Sequence, residues 1–149
     1  MNFPSEEQRY TRGMLIVAML LCSVFVNAQD PKPEEIVAFA CGFAGQPSDA
    51  VVKISRLVQA RQYGKVSQLL NSGNNAEKFL AVVSIERLVF KGRYQIEAAE
   101  RKQIEMIKTS NEKVSVCSGC TYFDEISLSD MFEEVDYLGS SRWIASLVK

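Results

Sequence analysis

Ala50-Val51-Val52-Lys53-Ile54-Ser55-Arg56-Leu57-Val58 returns 31 residues later as Ala81-Val82-Val83-Ser84-Ile85-Glu86-Arg87-Leu88-Val89, with seven of the nine positions identical. Val51, Ile54, Leu57 and Val58 fall at helical spacing, so each copy reads as an α-helix with an apolar stripe. Tyr63 and Tyr94 keep the same offset. A period of this size suits a two-helix unit repeated along a solenoid. Arg56 and Arg87 hold the same place in both copies, where apolar bias does not put a charge. A charged residue inside such a run either pairs within the fold or faces a partner, which makes both arginines candidate partner-binding residues.

Helices extend outward from the repeat. Ser48 is the expected N-cap of the first copy, after Gln46-Pro47. Gly64 interrupts, Val66, Leu69 and Leu70 form a short second helix, and Asn71-Ser72-Gly73-Asn74-Asn75 is a turn cluster. The helix from Ala76 to Lys91 is apolar on most of its circumference and reads as the buried centre, closed by Gly92. Ile96 to Lys108 is amphipathic, with Glu97 and Arg101 paired at i, i+4. Before the repeat, Glu34-Glu35 open an expected helix through Ile36, Val37, Phe39 and Ala40. After it, Val114 to Phe123 has no helical period and has room for a short strand. Ser127 or Ser129 then caps a helix using Met131, Phe132, Val135 and Leu138, with Gly139 as its stop. A last turn carries Trp143, Ile144 and Leu147, three apolar residues expected to dock. The expected fold is all-α: a small solenoid-like domain of about six helices, residues 34–149, with one irregular segment that contains cysteines.

Over residues 48–108 the chain resembles the HEAT-like class of α-helical repeats, in which helical hairpins stack and expose a face to other macromolecules. The resemblance implies a protein-binding scaffold and carries no active site to any residue here.

The N-terminus has a different composition. Arg9 and Arg12 precede an apolar to weakly polar run from Gly13 to Val26, and Val26-Asn27-Ala28 offers small residues where signal peptidase requires them. Residues 1–28 therefore read as a signal peptide cut after Ala28, with 29–33 as a Pro-containing leader. The run is shorter than the roughly 20 residues a bilayer span needs, so a retained anchor over 13–26 is the alternative and no stable membrane insertion is expected after cleavage. Cys22 follows Leu21, which excludes a lipobox. The expected location is exported, periplasmic or extracellular.

Cleavage leaves Cys41, Cys117 and Cys120, an odd number. The preferred reading is a structural disulfide from Cys41 to Cys117 or to Cys120. The alternative uses Cys117-Ser118-Gly119-Cys120 as a redox C-x-x-C, although no βαβ pattern precedes it and Thr121 rules out haem attachment. The chain has no histidine. With neither the commonest general base nor a fourth zinc ligand present, no metal or cofactor is expected. Asp124-Glu125 and Glu133-Glu134 with Asp136 read as solvated faces, without the spacing of a calcium loop.

Charge balances over the whole chain, at 17 basic against 18 acidic residues, so no field directs it to nucleic acid. Locally it does not balance. Residues 53–113 carry 12 Lys or Arg against 6 Asp or Glu, and residues 114–149 carry 2 against 6. The basic middle can face the acidic tail within one fold or can meet a partner. The expectation is a non-catalytic protein that binds another protein or a cell-envelope component, of inhibitor or immunity type, with a thiol-active envelope protein as the alternative. N-terminal sequencing of the exported chain should begin at Gln29. Membrane-bound material that begins at Met1 would instead establish the anchor.

Overall fold

A computed structural model describes residues 35–134 and 136–149. The expected signal peptide, the leader, Glu34 and Val135 lie outside the described residues. All of the described residues belong to the unit Pro31–Lys149.

The all-α expectation is overturned, because a three-stranded mixed sheet joins the helices. Strand β1 is Ile36–Val37, β2 is Lys113–Ser118 and β3 is Tyr122–Ser127, in the order β1-β2-β3. Between β1 and β2 come helices α1 (Asp49–Gln59), α2 (Tyr63–Gln68), α3 (Asn75–Phe90) and α4 (Ala98–Lys108), and after β3 come α5 (Leu128–Glu133) and α6 (Ser140–Leu147). Short 3-10 turns cover Leu69–Asn71 and Tyr137–Gly139.

The segment expected as the first helix is β1. From Ile36 to Phe43 the chain contains no charged or amide side chain, so it has no polar face from which a helical period could be read. The adjacent β-branched Ile36 and Val37 favour extended backbone, and an extended pair puts Val37 in the core and Ile36 on the other face. β1 runs parallel to β2, with Ile36 opposite Ser115 and Val37 opposite Val116. Two further bonds lengthen this seam, from Gly42 N–H to Gly119 O at 2.9 Å and from Gly119 N–H to Ala40 O at 3.0 Å. β2 and β3 form an antiparallel hairpin, Ser118 opposite Tyr122 at its tip. Val114 and Val116 alternate onto the buried face, the period of two that replaces the helical period here.

α3 is the centre. Ala76, Phe79, Leu80, Ala81, Val82, Ile85 and Leu88 are all buried, so the helix is covered on most sides. Ser84, also buried, donates its hydroxyl hydrogen to Leu80 O at 2.7 Å, which satisfies it inside the helix. Asn74 caps the start by accepting the N–H groups of Ala76 at 2.9 Å and Glu77 at 3.3 Å. α1, α6, β2 and the turn at Leu69–Asn71 pack around it. α6 docks through Ile144 and through Trp143, whose ring nitrogen donates to Ser55 Oγ at 3.0 Å while its ring lies 5.2 Å from that of Phe39.

The two helices that carry the repeated stretch also end alike. α1 ends with Gln62 N–H bonded to Leu57 O and Arg61 N–H to Val58 O; α3 ends with Arg93 N–H bonded to Leu88 O and Gly92 N–H to Val89 O. These are the two bonds of a Schellman motif, shifted by 31 residues. Its left-handed position holds Arg61 at φ 56° in the first copy and Gly92 at φ 66° in the second. Beyond Tyr94 the copies part, since α2 begins at Tyr63 itself and α4 only at Ala98.

Ser48 occupies the N-cap position of α1 but its side chain does not cap the helix. Its hydroxyl accepts Ala38 N–H at 3.3 Å and its own N–H donates to Ala38 O at 2.9 Å, so it ties α1 to the end of β1. The expected long helix after Ser127 is shorter than the sequence reading. Ser127 does cap it, accepting Asp130 N–H at 3.2 Å, but α5 ends at Glu133, and Leu138 takes a left-handed conformation at φ 53° in the following turn.

Cys41 is bonded to Cys117 across 76 residues, with a Cα separation of 5.5 Å. The bond holds the short β1 seam against the hairpin. Cys41→Ser should lower the unfolding free energy by about 2–4 kcal/mol, whereas Cys120→Ser should leave it within about 0.5 kcal/mol. Urea unfolding of oxidised and reduced chain tests this, and equal midpoints would show that the bond does not stabilise the fold.

Candidate functional site

The three thiols end up with different roles. Cys117 is buried in β2 and bonded to Cys41, and Cys120 is free and exposed in the hairpin loop. Cys117 to Cys120 runs from a strand into a hairpin loop and not into a helix start, the setting of a redox C-x-x-C. Among the described residues no group of three or more His, Cys, Asp or Glu side chains is placed to hold a metal ion. No helix among them is long and apolar enough to cross a membrane.

The two arginines singled out by the repeat differ as well. Arg56 is exposed on α1, and no ion pair among the described residues includes it. Arg87 is partly buried on α3, with its guanidinium carbon 5.6 Å from the centre of the Phe90 ring. Its Nε is buried and has no hydrogen-bond partner among the described residues.

Arg87 stands between two surface features. On one side, Phe90 is 77% exposed and Val89 37%. Ile96 and Arg101 line two grooves beside Val89, one with Arg93 and Tyr94 and the other with Phe90, Glu86 and Glu105. In the first copy the counterpart of Val89 is Val58, only 3% exposed, and the counterpart of Phe90 is Gln59. Position 58 is therefore covered where position 89 is open, while Gln59 and Phe90 are both exposed. On the other side of Arg87 a cleft of about 280 Å³ lies between α3, α5 and α6, lined by Phe132, Ile144, Ser140 and Lys108 among others. Lys108 pairs with Glu86 at 3.0 Å and lies 5.9 Å above the Phe132 ring.

Below the open face, Glu100 ties α4 to the rest of the unit. Tyr94 and Ser67 both donate hydroxyl hydrogens to its Oε1, and Glu97 N–H donates to Oε2 at 2.8 Å, closing a capping box. Burial alone would raise its pKa, but the bonds from Ser67, Tyr94 and Glu97 outweigh it and hold the carboxyl below its ordinary value of 4.5. Burial, and then the bond to Glu100, push the Tyr94 phenol above its ordinary 10.0. The hydrogen bond from Tyr94 to Glu100 was not legible in the sequence.

Phe90 and Lys108 were missed as site residues. Phe90 sits in the same apolar run that marks α3 as buried, and only its place opposite Gln59 in the repeat sets it apart. Lys108 reads as an ordinary last-turn cation.

No protein-family model matches the chain, and no curated protein and no solved structure matches it at a significant level. The functional reading therefore rests on the geometry.

For Glu100, whose folded pKa is depressed, the stabilising contribution is present above the unfolded value and is lost as pH falls through the folded one. For Tyr94, whose pKa is raised, it is present below pH 10.0 and is lost as pH rises through the folded value. Tyr94→Phe should cost about 1 kcal/mol at pH 7. Glu100→Gln should flatten the fall in stability below pH 4.5. Urea midpoints of both variants that follow the wild type from acid to alkaline pH would show that this node contributes nothing.

Proposed function

We propose that the chain is an exported, non-catalytic protein-binding module of the cell envelope, periplasmic or extracellular once residues 1–28 are removed. The observation that carries this is the open end of α3. Phe90 and Val89 expose apolar surface beside Arg87, Arg93 and Arg101, with Glu86 and Glu105 at one edge. A large aromatic at 77% exposure adds little to the stability of the unit and lowers its solubility, a combination expected of a contact residue. Aromatic and arginine side chains are also the types that dominate binding energy at interfaces. The matching partner surface is acidic around an apolar centre, as in an inhibitor or immunity-type complex. Arg56, exposed but with Gln59 in the place of Phe90, lies outside this surface. The disulfide supports export, because such bonds persist in oxidising compartments.

The thiol-active alternative rests on the exposed Cys120. It has the weaker support, since Cys117 is buried and already bonded to Cys41.

The test is retention of envelope proteins by the tagged chain from Gln29 onward. A Phe90→Ser, Arg101→Glu double variant should reduce capture of the specific partner at least ten-fold, while Arg56→Glu should not. Undiminished capture by the double variant, or thiol exchange with no partner retained, would overturn the reading.

A further inference from the structure

We propose that the cleft between α3, α5 and α6 is a binding site for a carboxylate carried beside an apolar group, with the Arg87 guanidinium as its charge partner. The proposal does not rest on the protein-binding reading, since apart from Arg87 and Glu86 the cleft is lined by residues that do not border Phe90.

The cleft measures about 280 Å³, far more than one water needs and at the small end of pockets that take organic ligands. Its walls have two characters. Phe132, its ring tilted against that of Phe79 with centres 5.0 Å apart, and Ile144 supply apolar surface; Arg87, Lys108 and Ser140 supply polar groups. The decisive feature is Arg87 Nε, a buried donor of a cationic group with no hydrogen-bond partner among the described residues. Buried donors of this kind are ordinarily satisfied. Glu86 does not fill the place, since its carboxylate is engaged with Lys108 at 3.0 Å. Because Arg87 Nε is shielded from solvent, an acceptor in the cleft completes the set as the Arg87 side chain turns to meet it.

The neighbours narrow the ligand. A guanidinium presents Nε and an Nη as parallel donors, which match the two oxygens of a carboxylate. Glu86 and Glu134 also border the cleft, and their negative charge disfavours a doubly charged phosphate relative to a single carboxylate. The start of α6 adds little to the site, because Ser141 N–H is already given to Asp136 Oδ1 at 2.7 Å. Phe132 and Ile144 favour an aromatic or aliphatic group next to the charge. A free hydrophobic carboxylate and the C-terminal residue of a peptide share this chemistry.

Titration of the folded chain with 3-phenylpropionate, N-acetyl-phenylalanine, N-acetyl-phenylalaninamide and inorganic phosphate, read on the Arg87 Nε–H resonance, tests the proposal without a variant. Saturable shifts are expected from one or both carboxylates, at least ten-fold tighter than from the amide or from phosphate. Tighter binding of 3-phenylpropionate would assign the site to free carboxylates, and tighter binding of N-acetyl-phenylalanine to a peptide terminus. Arg87→Gln should weaken binding at least ten-fold and Arg56→Gln should not; Ile144→Trp, which fills the cleft and keeps the arginine, should abolish it. Equal binding of the amide or of phosphate, no saturable shift from either carboxylate, or undiminished binding by Ile144→Trp would overturn the proposal.

Discussion

One helix buried on nearly every side sets the terms for the rest of this fold. α3 places apolar residues around most of its circumference, so it cannot rest on a single neighbour as an amphipathic helix does. α1 and the turn at Leu69–Asn71 cover part of it, α6 another part, and β2 presents Val114 and Val116 to it. The sheet is thus a lid on the helical core, and two residues of β1 suffice because the disulfide holds the seam at its other end. The wrapping fails at one place, the C-terminal end of α3. There Val89 and Phe90 reach solvent, and Arg87 stands between that bare end and the cleft.

What could be read from the sequence followed from period and punctuation. α1, α3 and α4 announce themselves by apolar spacing, Asn74 and Ser127 by their place before it, and Gly92 by the left-handed turn it closes. The sequence left room for one strand within Val114 to Phe123, where β2 falls, but the sheet as a whole was hidden for two separate reasons. Ile36 to Phe43 is uniformly apolar or small, and such a run is compatible with either a buried helix or a buried strand. In β2 and β3 the alternation covers only six residues each, and β3 is exposed along most of its length, so no buried stripe marks it. The choice between Cys117 and Cys120 depended on the same missing knowledge. Once β2 is extended, its pairing with β1 brings Cys117 alongside Cys41, while Cys120 is carried out into the loop.

The site was half legible. Arg87 drew notice because a charge interrupts an apolar run, and the structure gives it an unusual environment; Arg56, identical by that criterion, is an ordinary exposed residue. The difference lies in what surrounds them. Phe90 replaces Gln59, and α5 and α6 bring Phe132 and Ile144 to the second copy. No local pattern encodes that, since those residues lie more than forty positions downstream of Arg87.

The disulfide also divides the molecule by range. The matching helix ends and the α1 to α3 packing join residues within about one repeat, whereas Ile36 meets Ser115 and Cys41 meets Cys117 across most of the described chain. Closing so long a loop costs chain entropy that local helices do not bear, which favours an order of events in which the helical pair assembles first and β1 arrives last. A chain stalled before that step would keep Cys41, Cys117 and Cys120 all unpaired, with either of the two later thiols able to capture the first. Val37 lies opposite Val116 and both are buried, so the register that packs the two valines is also the one that sets Cys41 beside Cys117.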